Sequence, residues 1–194
     1  MRYLHNSDIL HRDIKPANIL LTSDGVIKLS DLGLALRSED STVDSERSGT
    51  WDYMAPELHS HAPESKASDI FALGIVMFEL CFKRKPFLGV IQCIQGHLVE
   101  YPRERYSTQL TDLVLACLQK QPQLRLTIES VCQEVDALLE INKVDKNKIG
   151  EEYQSRRVAR LLSAPVVKRT NLVDHVFHEN FSQMSISRKE KIKV

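Results

Sequence analysis

His11-Arg12-Asp13-Ile14-Lys15-Pro16-Ala17-Asn18, followed after a short interval by Asp31-Leu32-Gly33, is the stretch on which the chain turns. It carries an acid, Asp13, a cation, Lys15, and an amide oxygen, Asn18, to which Asp31 adds a carboxylate. Residues 19–22 and 26–30 read as two short strands joined by Ser23-Asp24-Gly25, whose glycine can take positive φ. The hairpin so formed returns Asp31 to the neighbourhood of Asn18. A proton acceptor, a cation and two hard oxygen ligands then share one small region, the set that chemistry on a phosphate group requires, since Mg²⁺ prefers oxygen ligands.

The 194 residues are enough for one domain with a real core and a tail. Hydrophobic residues make up 42% and charged residues 27%, the balance of a soluble globular chain and not of a disordered one. The net charge of zero conceals an asymmetry. Residues 1–140 hold 14 Lys and Arg against 20 Asp and Glu, or −6, and residues 141–194 hold 12 against 6, or +6. A boundary near residue 141 follows. Cys81, Cys93, Cys117 and Cys132 form no CxxC pair and have no His at ligand spacing, so they read as buried reduced thiols. The amino terminus lacks a basic-then-apolar signal, and the longest apolar run, residues 70–82, is too short to span a bilayer and contains Glu79. These features point to the cytoplasm or nucleus, with no membrane span and no specific nucleic-acid motif.

Residues 1–5 read as the last turn of a helix. Residues 34–50 are polar, without helical or strand period, and read as a loop. Residues 68–81 are apolar almost all round, as in a helix buried on every side, with Ser68 as its N-cap and Lys83, Arg84 and Lys85 at its carboxyl end. Shorter helices follow at about 88–96, 107–119 and 127–141; the last starts at a Thr127 N-cap and buries Val131, Val135, Leu138 and Leu139. A short helix over 153–162 is expected, then a flexible basic tail.

The opening stretch resembles the catalytic and metal-binding loops of eukaryotic protein kinases, and the resemblance runs over residues 1–140. It implies Asp13 as the catalytic base, Lys15 as a contact of the transferring phosphate, and Asn18 and Asp31 as ligands of the Mg²⁺ that accompanies ATP. Leu20 would form an apolar wall of the adenine site. The Lys-x-x-Asn spacing is similar to that of the Ser/Thr class. Gly49-Thr50-Trp51-Asp52-Tyr53-Met54-Ala55-Pro56-Glu57 resembles the segment that closes the activation loop, which implies that Thr50 contacts Asp13 and Lys15, and its Trp51 and Met54 resemble the tyrosine-kinase-like group. Glu57 and Arg125 match the family's buried ion pair, and Asp69 the carboxylate that accepts hydrogen bonds from the catalytic-loop backbone. Leu32 stands where the family usually has Phe, and is expected to fill an apolar slot above His11. Arg12 would receive a phosphate carried by Ser41, Ser45 or Ser48, and Glu46 is expected to pair with it as a permanent substitute.

The implied fold is mainly α, a protein-kinase-like C-terminal lobe over 1–140 with a small β-hairpin carrying the catalytic and metal loops, followed by a basic tail over 141–194. A Gly-rich phosphate loop, a strand lysine and its helix glutamate are not present in the sequence, so the expectation is a C-lobe fragment. The implied function is a Ser/Thr protein kinase that transfers phosphate from Mg-ATP to a protein substrate, the isolated chain doing little chemistry and binding ATP weakly. The alternative is a catalytically inactive kinase-like interaction module, a pseudokinase or scaffold. The tail's basic patches, residues 156–163 and 188–191, suit an acidic partner, a membrane surface or an import receptor, or serve only solubility.

Overall fold

Packing is arranged around one helix, α3 (Lys66–Phe82), in a computed structural model that describes residues 1–22, 26–42 and 49–142. The expected turn at 23–25, the expectations placed on Ser45, Glu46 and Ser48, and those for the tail from 143 onward lie outside the described residues. The elements are α1 (Arg2–Asn6), β1 (Ile9–Leu10), β2 (Ile19–Leu21), β3 (Ile27–Leu29), β4 (Leu36–Arg37), α2 (Pro56–His59), α3, α4 (Val90–Gln95), α5 (Thr108–Cys117) and α6 (Ile128–Ile141). The mainly helical reading holds. Two strand pairs occur among the described residues: the expected β2–β3 hairpin, with Ile19 opposite Leu29, and an unforeseen antiparallel pair of β1 with β4.

α3 begins earlier than the sequence reading placed it. Ser65, not Ser68, is the N-cap; Ser68 is the N3 residue of a capping box in which each serine side chain meets the other's backbone. The polar first turn then leads into Ile70, Phe71, Ile75 and Phe78, each at most 1% exposed. Lys83 ends the helix in the left-handed conformation, φ 58°. Gly74 permits the close approach of α5, because a Cβ there would lie 2.9 Å from the Cβ of Cys117 and 3.0 Å from a Leu118 methyl. α6 has the Thr127 cap that was expected, its hydroxyl accepting the Ser130 N–H, but only Val131 of the four anticipated apolar residues is fully buried.

Three apolar clusters meet on α3. One joins Phe71, Phe78 and Phe82 to Met54, Val114 and Leu118, with the Phe78 and Phe82 rings 4.6 Å apart. A second joins Ile70 to Cys117, Ile128 and Val131. The third seats the His11–Asn18 stretch, since Ile14 packs on Ala72 and Val76. Fully burying side chains of this size contributes about 1.5–3 kcal/mol each. Cys93 and Cys117 are buried and Cys81 and Cys132 half-buried, none of them in a disulfide; burial pushes the Cys93 and Cys117 thiols up to about 12. No helix among the described residues is long and apolar enough to cross a membrane.

Candidate active site

The site is built where the loop between β1 and β2 crosses the start of α3. Asp69, in the first turn of α3, accepts three hydrogen bonds: the His11 N–H at 2.8 Å, the Arg12 N–H at 3.0 Å and the His5 Nε2–H at 2.9 Å. Arg12 sits in the left-handed region, φ 71°, where a non-glycine residue stays only if its surroundings hold it. The His11 ring is fully buried. Its Nε2 meets the Ser30 carbonyl at 3.1 Å and its Nδ1 accepts the Asp13 N–H at 3.3 Å, a pair of bonds that assigns the Nε2–H tautomer.

These anchors present Asp13 with defined partners. Its Oδ2 faces Lys15 Nζ at 2.6 Å and accepts Asn18 Nδ2–H at 2.9 Å, while its Oδ1 accepts the Thr50 hydroxyl at 2.9 Å. Lys15 also donates to Thr50 Oγ1 at 2.8 Å. Asp13, Lys15, Asn18 and Thr50 are thus brought together as expected, across 37 residues of chain in the case of Thr50. Burial raises the Asp13 carboxyl, but the bonds from Lys15, Thr50 and Asn18 together outweigh it, and the pKa lies below the ordinary value. Asp13 is therefore ionised at neutral pH. A carboxylate offers about four acceptor directions, so Oδ1 keeps one for a further hydroxyl.

Asn18 is buried and spends its Nδ2 on Asp13, both on the carboxylate and on the backbone carbonyl at 2.8 Å, which leaves its Oδ1 as a ligand atom. The hairpin brings Asp31 alongside: Ser30, paired to the Asn18 carbonyl at 2.9 Å, is its chain neighbour. Asp31 is exposed, at φ 65°, with a weak 3.4 Å contact from the Gly33 N–H. Among the described residues no three His, Cys, Asp or Glu side chains cluster as a closed metal cage. The pair instead suits Mg²⁺, which is held by one or two protein oxygens plus phosphate and water. Leu20 is 50% exposed on the outer face of the hairpin. Leu32 departs from expectation: it is 54% exposed instead of filling an apolar slot above His11.

Supports lie further off. Arg125 uses all five of its N–H groups: two on Glu57, at 2.6 and 2.7 Å, and one each on the carbonyls of Ala67, Gln119 and Lys120. Glu57 also accepts the Ser68 hydroxyl. Gly49, φ 101°, lies so close to the loop that a Cβ would come within 2.4 Å of the Arg12 carbonyl. Tyr53 donates to Glu79 at 2.8 Å, and Lys85 pairs with Asp52 while lying 5.0 Å from the centre of the Tyr53 ring. Beside them is a groove of about 190 Å³ whose wall includes Trp51, His59, Phe87 and Val90. Sequence reasoning missed one further residue. Glu64 pairs with Arg12, and only its position just before the α3 cap could have drawn attention to it.

With this geometry in place, comparison with known proteins is direct. The protein kinase domain family matches residues 1–135. The chain is 32% identical over 158 residues to the serine/threonine-protein kinase STY17 of Arabidopsis thaliana, covering 76% of this chain and 27% of that one. It is 31% identical over 191 residues to the serine/threonine-protein kinase Nek4 of Mus musculus, covering 90% and 24%. An Aurora kinase of Debaryomyces hansenii is 38% identical over 136 residues, covering 66% and 33%. The chain thus spans about a quarter of the length of the first two relatives. A match over residues 1–135, with relatives that are serine/threonine kinases, makes the chain a member of the eukaryotic protein kinase family, of serine/threonine type.

Proposed function

We propose that residues 1–140 are the C-terminal lobe of a protein kinase that moves the γ-phosphoryl group of Mg-ATP to a Ser or Thr hydroxyl of a protein. The observation that carries this reading is the Asp13–Lys15–Thr50 triangle, with distances of 2.6, 2.8 and 2.9 Å. The acceptor hydroxyl donates to the remaining direction on Asp13 Oδ1, which orients its oxygen and takes its proton as the bond to phosphorus forms. Lys15 neutralises charge on the phosphoryl oxygens. Thr50 fixes both groups relative to one another, so that positioning and electrostatics supply the rate. Asn18 Oδ1 and Asp31 would hold the Mg²⁺, which supplies charge neutralisation at the phosphates. Leu20 forms one apolar wall for the adenine, and the groove by Trp51 receives the substrate chain next to the acceptor residue. Phosphate transfer to a Ser/Thr peptide by the protein carrying this chain, wild type against Asp13→Asn, is the test; equal incorporation would discard the assignment.

A second reading, a kinase-like module that binds partners without turnover, draws on the exposed apolar side of the hairpin, where Leu21 and Ile27, paired across the two strands, are 44% and 71% exposed. Phosphate transfer by the protein carrying this chain separates the two: transfer that Asp13→Asn abolishes supports the enzyme, and no transfer by the wild type supports the module. The 194-residue chain alone should bind Mg-ATP weakly in either case, and micromolar affinity in calorimetric titration would contradict that. We place the protein in the cytoplasm or nucleus, with the basic residues after 141 available to an acidic partner.

A further inference from the structure

Arg12 is held by both its backbone and its side chain against one short piece of chain. Its N–H reaches Asp69 in the first turn of α3, and its Nε pairs with Glu64, the residue immediately before the Ser65 cap of the same helix. The two side chains are 10% and 11% exposed, so the pair is largely withdrawn from water. A guanidinium N–H also lies 3.4 Å from the carbonyl of Leu34, on the segment that runs from Asp31 to Thr50. The far end of that segment, Gly49, rests on the Arg12 carbonyl. Arg12 therefore joins the start of α3 to both ends of the segment, and it does so from a left-handed backbone conformation directly beside Asp13.

A largely buried guanidinium needs a negative partner, because an uncompensated desolvated charge is strongly unfavourable. On the segment itself, that partner would be a phosphate on a serine such as Ser41, present only after modification, or the carboxylate expected from Glu46, which lies outside the described residues. Glu64 lies outside the segment and needs no modification to carry its charge, which the Arg12 guanidinium favours against the upward push of burial on its carboxyl. We propose that Glu64 is a positioning residue: its carboxylate fixes the Arg12 guanidinium against α3, so that the loop presenting Asp13 keeps its geometry without a phosphate on the Asp31–Thr50 segment. The inference rests on the phosphotransfer reading for its functional meaning, but its physical core is the Arg12–Glu64 pair alone.

Removing the carboxylate should convert the site into one that seeks an anion. In thermal unfolding of the 194-residue chain, sodium sulfate compared with sodium chloride at equal ionic strength should raise the Tm of Glu64→Gln by about 3 °C more than that of the wild type. The added Arg12→Gln substitution should abolish that excess. An equal sulfate response in wild type and Glu64→Gln, or an undiminished one in the double variant, overturns the proposal. Should Glu64→Gln not fold, the wild-type Arg12 Nε–H resonance decides: it stays fixed during a sulfate titration if Glu64 holds the group, and moves if not. In the protein carrying this chain, phosphatase treatment should leave wild-type phosphate transfer within about twofold, whereas Glu64→Gln should fall about tenfold or more, as expected for a misplaced catalytic loop. A large phosphatase effect on the wild type counts against the proposal. Absence of any transfer by the wild type counts against the phosphotransfer reading only, since the thermal comparison still decides the role of Glu64.

Discussion

Asp13 is ionised because three donors converge on it, and each makes a separable demand. Asp13→Asn keeps the shape but loses the acceptor capacity and the charge that Lys15 faces; phosphate transfer should fall by about 10²–10⁴-fold with the fold retained, read by peptide phosphorylation beside circular dichroism. The same bonds set a pH dependence. The folded-state pKa of Asp13 lies below the ordinary 3.8, so its contribution to stability is complete above that value and disappears as the pH falls through the folded one. Wild type and Asp13→Asn should therefore differ most in Tm at neutral pH and converge below pH 3.8. Arg125 makes a harsher case: Glu57→Ala strands a guanidinium whose side chain is fully buried, and should cost about 3–5 kcal/mol in urea unfolding. These residues were legible because Asp13, Lys15 and Asn18 lie close together in sequence, and Thr50, Glu57, Asp69 and Arg125 fall in recognisable positions around them. Glu64 was not, because its partner is 52 positions away and nothing local marks a carboxylate that will be buried. Leu32 misled for the converse reason: an apolar side chain states a preference for burial, not a guarantee of it.

Helix α3 was legible as an element but not at its start. The apolar run begins at Ile70, and a reading that looks for the cap just ahead of such a run stops at Ser68, whereas the helix spends its first turn on polar residues that serve the site. Two serines three apart cap each other, so Ser65→Ala should cost about 1 kcal/mol, measurable as a shift in the urea midpoint without a change in slope. The contact between α3 and α5 is tighter. Gly74→Ala would force a methyl against Cys117 and Leu118, and overpacking of this kind typically costs about 1–3 kcal/mol, more than the gain in helix propensity from replacing glycine. A Tm higher than that of the wild type would show that the two helices can part without cost. The β1–β4 pair escaped the sequence reading because two residues per strand are too few to display a period of two.

Across the described residues, the pieces of the candidate site are remote in sequence, and the elements between them serve chiefly to bring them together. The bonds that Asp69 accepts span 57, 58 and 64 residues. Until α3 has formed and docked, His11 and Arg12 have no acceptor for their N–H groups, and the left-handed turn at Arg12 has nothing to hold it. The His11–Asn18 loop should consequently be a late product of folding, closed only after the entropy of a long loop has been lost. It should also have no independent life afterwards. Because no local fluctuation can release those two amides without detaching α3, their hydrogen exchange should proceed at the slow rate of global unfolding, although they belong to a loop. One carboxylate would thus give a candidate-site loop the kinetic permanence of a helix core.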